Sequence, residues 1–138
     1  MLVFRRTLPT ARSRAKALRQ LYRRSRAENK SNARGMRLLR YWLSPEQRAQ
    51  FDRFGYFEVV GSDSGTRYRI YRDSAANVYQ MDCVGRLHAG WCFMPLGELV
   101  ACDVMLAQKI ALETDERGAL AVANKFLPRW ELRRANGR

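Results

Sequence analysis

The side chains best suited to covalent or metal chemistry are few. There is a single histidine, His88, and three cysteines, Cys83, Cys92 and Cys102. Any Ser-His-Asp or Cys-His mechanism must use His88 as its base. On an extended run over 87–93, His88 and Cys92 share one face, but about 13 Å separates them at about 3.3 Å per residue. That is too far for direct proton transfer, so the simpler reading of His88 is a partly exposed strand histidine. As zinc ligands the four residues lack the paired C-x2-C knuckles that place two thiolates on one tetrahedral ion. Cys102 lies in an apolar stretch, where a free cysteine serves as a small core residue. Asp63, Asp73, Asp82 and Asp103 follow no calcium-loop spacing. Gly61-Ser62-Asp63-Ser64-Gly65 lacks the GK[ST] ending of a phosphate loop and reads as a turn. The expectation is a protein without catalytic residues, metal or cofactor.

Arginine is the other chemistry on offer, and there is much of it. The 138 residues carry 26 Lys and Arg against 13 acids, a formal charge of +13. The excess is concentrated: residues 1–53 hold fifteen basic residues and three acids, while 54–138 are nearly balanced. Such asymmetry marks a polyanion-seeking arm on an ordinary globular body. Guanidinium forks suit phosphate oxygens, and each contact releases condensed counterion. The expected phosphate contacts are Arg12, Arg14, Lys16, Arg19, Arg23, Arg24 and Arg26, with Tyr22 and Tyr41 available for stacking. A second candidate surface interleaves Arg67, Arg69 and Arg72 with Tyr68 and Tyr71, as in sheets that stack single-stranded bases. Against it, aromatics are favoured in strands for packing alone, and the signature of RNA-recognition motifs is missing. An acidic protein surface is the competing partner for the arm, and an anionic membrane surface a third. The apolar face of Ala11, Ala15, Leu18 and Tyr22 is thin for a membrane.

The elements that must position these residues follow from pattern. Thr10 can cap a helix over 11–28 rich in Ala, Leu, Arg and Lys. The turn formers of 29–35 (NKSNARG) predict a break, and 36–43 a second helical segment. Ser44-Pro45-Glu46-Gln47 is a capping-box start for a short helix over 45–54. Alternation predicts four strands within 56–94, near 56–60, 67–71, 77–82 and 87–93, joined by tight turns. Residues 99–113 read as a buried helix. Thr114-Asp115-Glu116 opens another, whose apolar face is Ala119, Leu120, Ala123 and Phe126, stopped by Pro128. The expected fold is α+β: a four-stranded antiparallel sheet packed by two C-terminal helices, preceded by a basic helical arm. The boundaries are an arm at 1–35, a domain at 36–127 and a basic tail at 128–138.

Between Leu38 and Phe126 the phrases LSPEQRAQF, GYFEVVGSDSGTRYRI, GWCFMP and DVMLAQKIALET resemble a family of short uncharacterised alphaproteobacterial proteins. The resemblance covers about two-thirds of the chain and implies a bacterial source, with no mechanism attached. Residues 1–26 have the composition of a transit peptide, Arg-rich and acid-poor, which a bacterial source argues against. Three cysteines, an odd number, fit a reducing interior, and no run approaches the ~18 apolar residues of a membrane span. These features lead to the expectation of a cytoplasmic, non-catalytic protein that binds DNA or RNA through phosphates. The alternative is an accessory subunit of a protein or ribonucleoprotein assembly that docks through its α+β domain.

Overall fold

A computed structural model describes residues 10–73, 75–93, 97 and 99–129. The chain opens with α1 (Ala11–Trp42), a continuous helix of 32 residues. Thr10 caps it as expected, its hydroxyl accepting from the Ser13 N–H. The break expected at 29–35 does not occur. Asn and Ser each cost only about half a kcal/mol in a helix and Gly about 1 kcal/mol, and no proline intervenes. Packing supplies the compensation. Gly35 is buried where α1 crosses the start of α3 (Ala101–Thr114), and a Cβ there would lie 3.0 Å from Asp103 Oδ1 and 3.4 Å from Cys102 Cβ. Glycine at this position lets two helices approach; it does not end one.

The chain leaves α1 at Leu43 and enters α2 (Pro45–Phe54) through a complete capping box. The Gln47 N–H donates to Ser44 Oγ, and the Ser44 N–H donates to Gln47 Oε1. Four strands follow as a meander, β1 (Tyr56–Val60), β2 (Arg67–Tyr71), β3 (Val78–Met81) and β4 (Leu87–Cys92), each antiparallel to the last. After α3 comes α4 (Glu116–Val122), then β5 (Asn124–Phe126), antiparallel to β4.

The sheet therefore has five strands in the order β1-β2-β3-β4-β5, one more than expected. The fifth is taken from the predicted last helix, which stops at Val122 instead of running through Phe126. Pairing gives the outer edge of β4 a partner for its free backbone groups. Gly90 makes it possible: Phe126 lies opposite it, and any Cβ on Gly90 would overlap the Phe126 ring.

The two sheet faces differ. Phe57, Val59, Tyr68, Ile70 and Val78 point to the helical side and are buried against Leu39 and Leu43, Phe51, and Cys102, Met105 and Leu112. Helical cover thus comes from α3 together with α2 and the C-terminal turns of α1, not from the two C-terminal helices alone. A polar pair crosses this core. Asn77 Nδ2 donates to Gln108 Oε1 (2.9 Å) and Gln108 Nε2 returns a bond to Asn77 Oδ1 (2.8 Å). Among the described residues, no helix is long and apolar enough to cross a membrane.

Candidate nucleic-acid interface

Continuity of α1 changes what its basic residues can do. Arg12, Lys16, Arg19, Arg23, Arg26, Lys30, Arg34 and Arg37 recur at intervals of three or four. At 3.6 residues per turn they fall within about 80° of arc, a single stripe about 37 Å long at 1.5 Å per residue. All eight are exposed, and none is in an ion pair among the described residues. The only acid of α1 is Glu28. Gly35 and Leu39, the buried residues of α1, lie on the far side of the helix, so the stripe faces away from the domain.

Five of the seven arm residues expected to contact phosphate, Arg12, Lys16, Arg19, Arg23 and Arg26, are therefore brought together. Arg14 and Arg24 are exposed but project about 160° and 120° of arc from Arg12, away from the stripe. Lys30, Arg34 and Arg37 extend the stripe, although the turn formers around them point to a break. The signal for these three is their spacing, which continues the period of the residues before them.

The second candidate surface is reorganised. Tyr68 does not face outward with Arg67 and Arg69: it is 1% exposed, on the helical side of β2. Its hydroxyl donates to Glu116 Oε1 at 2.6 Å, so it cannot stack a base. Alternation along β2 puts Tyr68 and Ile70 on one face and Arg67, Arg69 and Tyr71 on the other. Glu58 holds the two arginines, Arg69 at 2.9 Å and Arg67 at 3.7 Å. Arg69 also covers the Tyr56 ring, its guanidinium carbon 4.2 Å from the centroid. Arg69 is thus committed to intramolecular contacts, and Arg67 is the more open cation.

What the outer face does carry is an aromatic row. Phe54 stacks on Tyr56 at 5.3 Å, Tyr56 meets Tyr71 at 5.2 Å, Tyr71 meets Tyr79 at 5.4 Å, and Tyr79 meets Phe126 at 5.7 Å. The row runs from the end of α2 to β5. Cross-strand register explains it: Tyr56 is opposite Tyr71, and Gly90, opposite both Tyr79 and Phe126, leaves room for their rings.

Glu116 is the most perturbed carboxylate among the described residues. The β1–β2 turn wraps it, the N–H groups of Asp63 and Ser64 donating to Oε2 and the Ser64 and Tyr68 hydroxyls to Oε1. Burial alone raises its pKa, but these four bonds outweigh burial and hold it at about 2. Burial, the hydrogen bond to Glu116 and the Glu116 charge all push the Tyr68 phenol up. Both oxygens of the carboxylate are engaged within the fold, so Glu116 is a structural clasp joining turn and helix.

The remaining chemistry is dispersed. Cys83 is exposed in the β3–β4 turn, Cys92 half-buried on β4, and Cys102 buried in α3, where burial raises its thiol pKa. Among the described residues, no three His, Cys, Asp or Glu groups are placed to hold a metal ion. His88 lies at the β3–β4 irregularity, where Leu87 and Ala89 oppose the consecutive residues Met81 and Gln80. The N-terminal Arg5 and Arg6 and most of the basic tail lie outside the described residues. No protein-family model, no curated protein and no solved structure matches the chain.

Proposed function

We propose that this is a small cytoplasmic nucleic-acid-binding protein without catalytic activity, which lays α1 along a phosphate backbone. The observation that carries the reading is the basic stripe from Arg12 to Arg37, free of ion pairs among the described residues. Eight cations on one straight face repel one another unless an extended polyanion relieves them. The stripe is about as long as one turn of duplex, roughly 34–36 Å, and a helix fits the roughly 12 Å major groove or lies along its rim. Arginine dominates the stripe, and its planar fork grips phosphate oxygens bidentately. A row of cations suits the uniform backbone, not the varied base edges, so the expected contacts are to phosphate.

Binding of the full chain to a duplex DNA and to a single-stranded RNA, followed across salt concentrations, tests this. Eight phosphate contacts on duplex give a limiting slope of log K against log salt near roughly −7. Replacing Arg12, Arg19, Arg23 and Arg26 with Gln should reduce that slope by about three to four units and weaken all sequences alike. An unchanged slope would sink the assignment.

A second reading, an accessory subunit in a protein or ribonucleoprotein assembly, draws on the apolar side of the same helix. Leu18, Leu21 and Tyr22 are exposed there. A stoichiometric protein partner retained at high salt favours that reading over phosphate binding.

A further inference from the structure

A cavity of about 380 Å³ opens beside the middle of the aromatic row, lined by Tyr71, Arg72, Asp73, Ala76, Asn77 and Tyr79. Its size falls within the ~300–1,000 Å³ of small-molecule sites. It lies on the domain, and its lining includes none of the stripe residues of α1.

Three features of the lining point to one kind of ligand. The Tyr71 and Tyr79 rings meet at 86°, so between them they offer both an edge and a face to a flat ring. Arg72 is exposed and makes no ion pair among the described residues, unlike Arg67 and Arg69, which Glu58 occupies. A cavity lined by both rings and an arginine suits a planar group that carries an anion. Asn77 also ties parts of the lining together. Asn77 Nδ2 donates to the carbonyls of Tyr71 (3.0 Å) and Asp73 (3.1 Å), and its amide is anchored from below by Gln108. Beside it Ala76 stands at φ +50°, a left-handed conformation that a residue with a β-carbon seldom adopts. Lining residues tied in this way lose little further entropy on binding.

We infer that this cavity binds a nucleoside phosphate, the base against Tyr71 and Tyr79 and the phosphate on Arg72. The ligand is either a free nucleotide or one nucleotide of a single strand, since both present the same ring and anion. The inference goes beyond the α1 reading and does not rest on it.

Calorimetric titration of the full chain with each of the four ribonucleoside monophosphates, at about 0.15 M salt, tests it. The expected result is one-to-one binding of at least one of them. Arg72→Gln and Tyr79→Leu should each weaken that binding at least about tenfold, the scale of one charge-assisted bond or one stacked ring. The variant with four α1 arginines replaced should bind the nucleotide as the parent does, even where it has lost duplex binding. The same titration with a trinucleotide separates the two sources. Tighter, Arg72-dependent binding of the trinucleotide assigns the site to a strand, and equal or weaker binding assigns it to the free nucleotide. The inference is overturned by absence of binding for all four, by indifference to Arg72→Gln, or by inorganic phosphate competing as well as the nucleotide.

Discussion

Glu116 shows how much one side chain can carry. It reads in the sequence as an acid at a helix start, favoured by the positive end of the backbone dipole. In the fold it is 3% exposed and ties the β1–β2 turn to α4, with Ser62 Oγ accepting from its own N–H in return. Its folded pKa of about 2 lies below the ordinary 4.5, so the carboxylate stabilises the fold above about pH 4.5. That contribution, on the order of 3 kcal/mol, is lost as pH falls from about 4.5 towards about 2. Glu116→Gln should lower stability at neutral pH by about 2–3 kcal/mol and flatten acid unfolding over that window, measured by urea titration at stepped pH. Nothing local in the sequence announces this role, because the donors come from a turn and a strand about fifty residues earlier. The placement of Tyr68 escapes sequence reasoning for a related cause. Alternation sorts a strand into two faces but does not say which of them meets the helices, and an Arg–Tyr–Arg run reads equally well both ways.

At the scale of elements, most of the architecture is legible. Capping chemistry locates α2 to the residue, and alternation locates β1 and β2. The departures lie where tertiary contact overrides local preference. Residues 29–35 stay helical because Gly35 docks on α3, and 124–126 become a strand because β4 needs an edge partner. Gly35→Val tests the first of these. The added methyls meet Asp103 and Cys102, and overpacking of this kind costs about 1–3 kcal/mol, more than the ~0.4 kcal/mol gained in helix propensity. Thermal unfolding of the full chain should therefore shift down by several degrees, with helix content largely kept.

Taken whole, the molecule divides its surface between two kinds of chemistry. Cations run along α1, and a row of rings, with the Arg69 guanidinium over Tyr56, covers the outer face of the sheet. Charge counting locates the first in outline but gives it the wrong length, since the full stripe exists only if the helix does not break. The second is visible as composition, and only the register of the strands turns it into a row with a cavity beside its middle.

One consequence of the unbroken α1 concerns phase. Its first turns stand in solvent, its last turns are bolted into the core, and there is no joint between them, so the angle at which Arg12 points is set by Leu39. A single alanine inserted after Ala33 would turn the cations from Arg12 to Lys30 by about 100° relative to Arg34, Arg37 and the domain. Seven alanines would bring them back to within about 20°. Both insertions leave the net charge untouched. If α1 works as one rigid rule laid against a backbone, duplex affinity should fall with one added residue and recover with seven; a helix acting only as a cloud of charge would register neither.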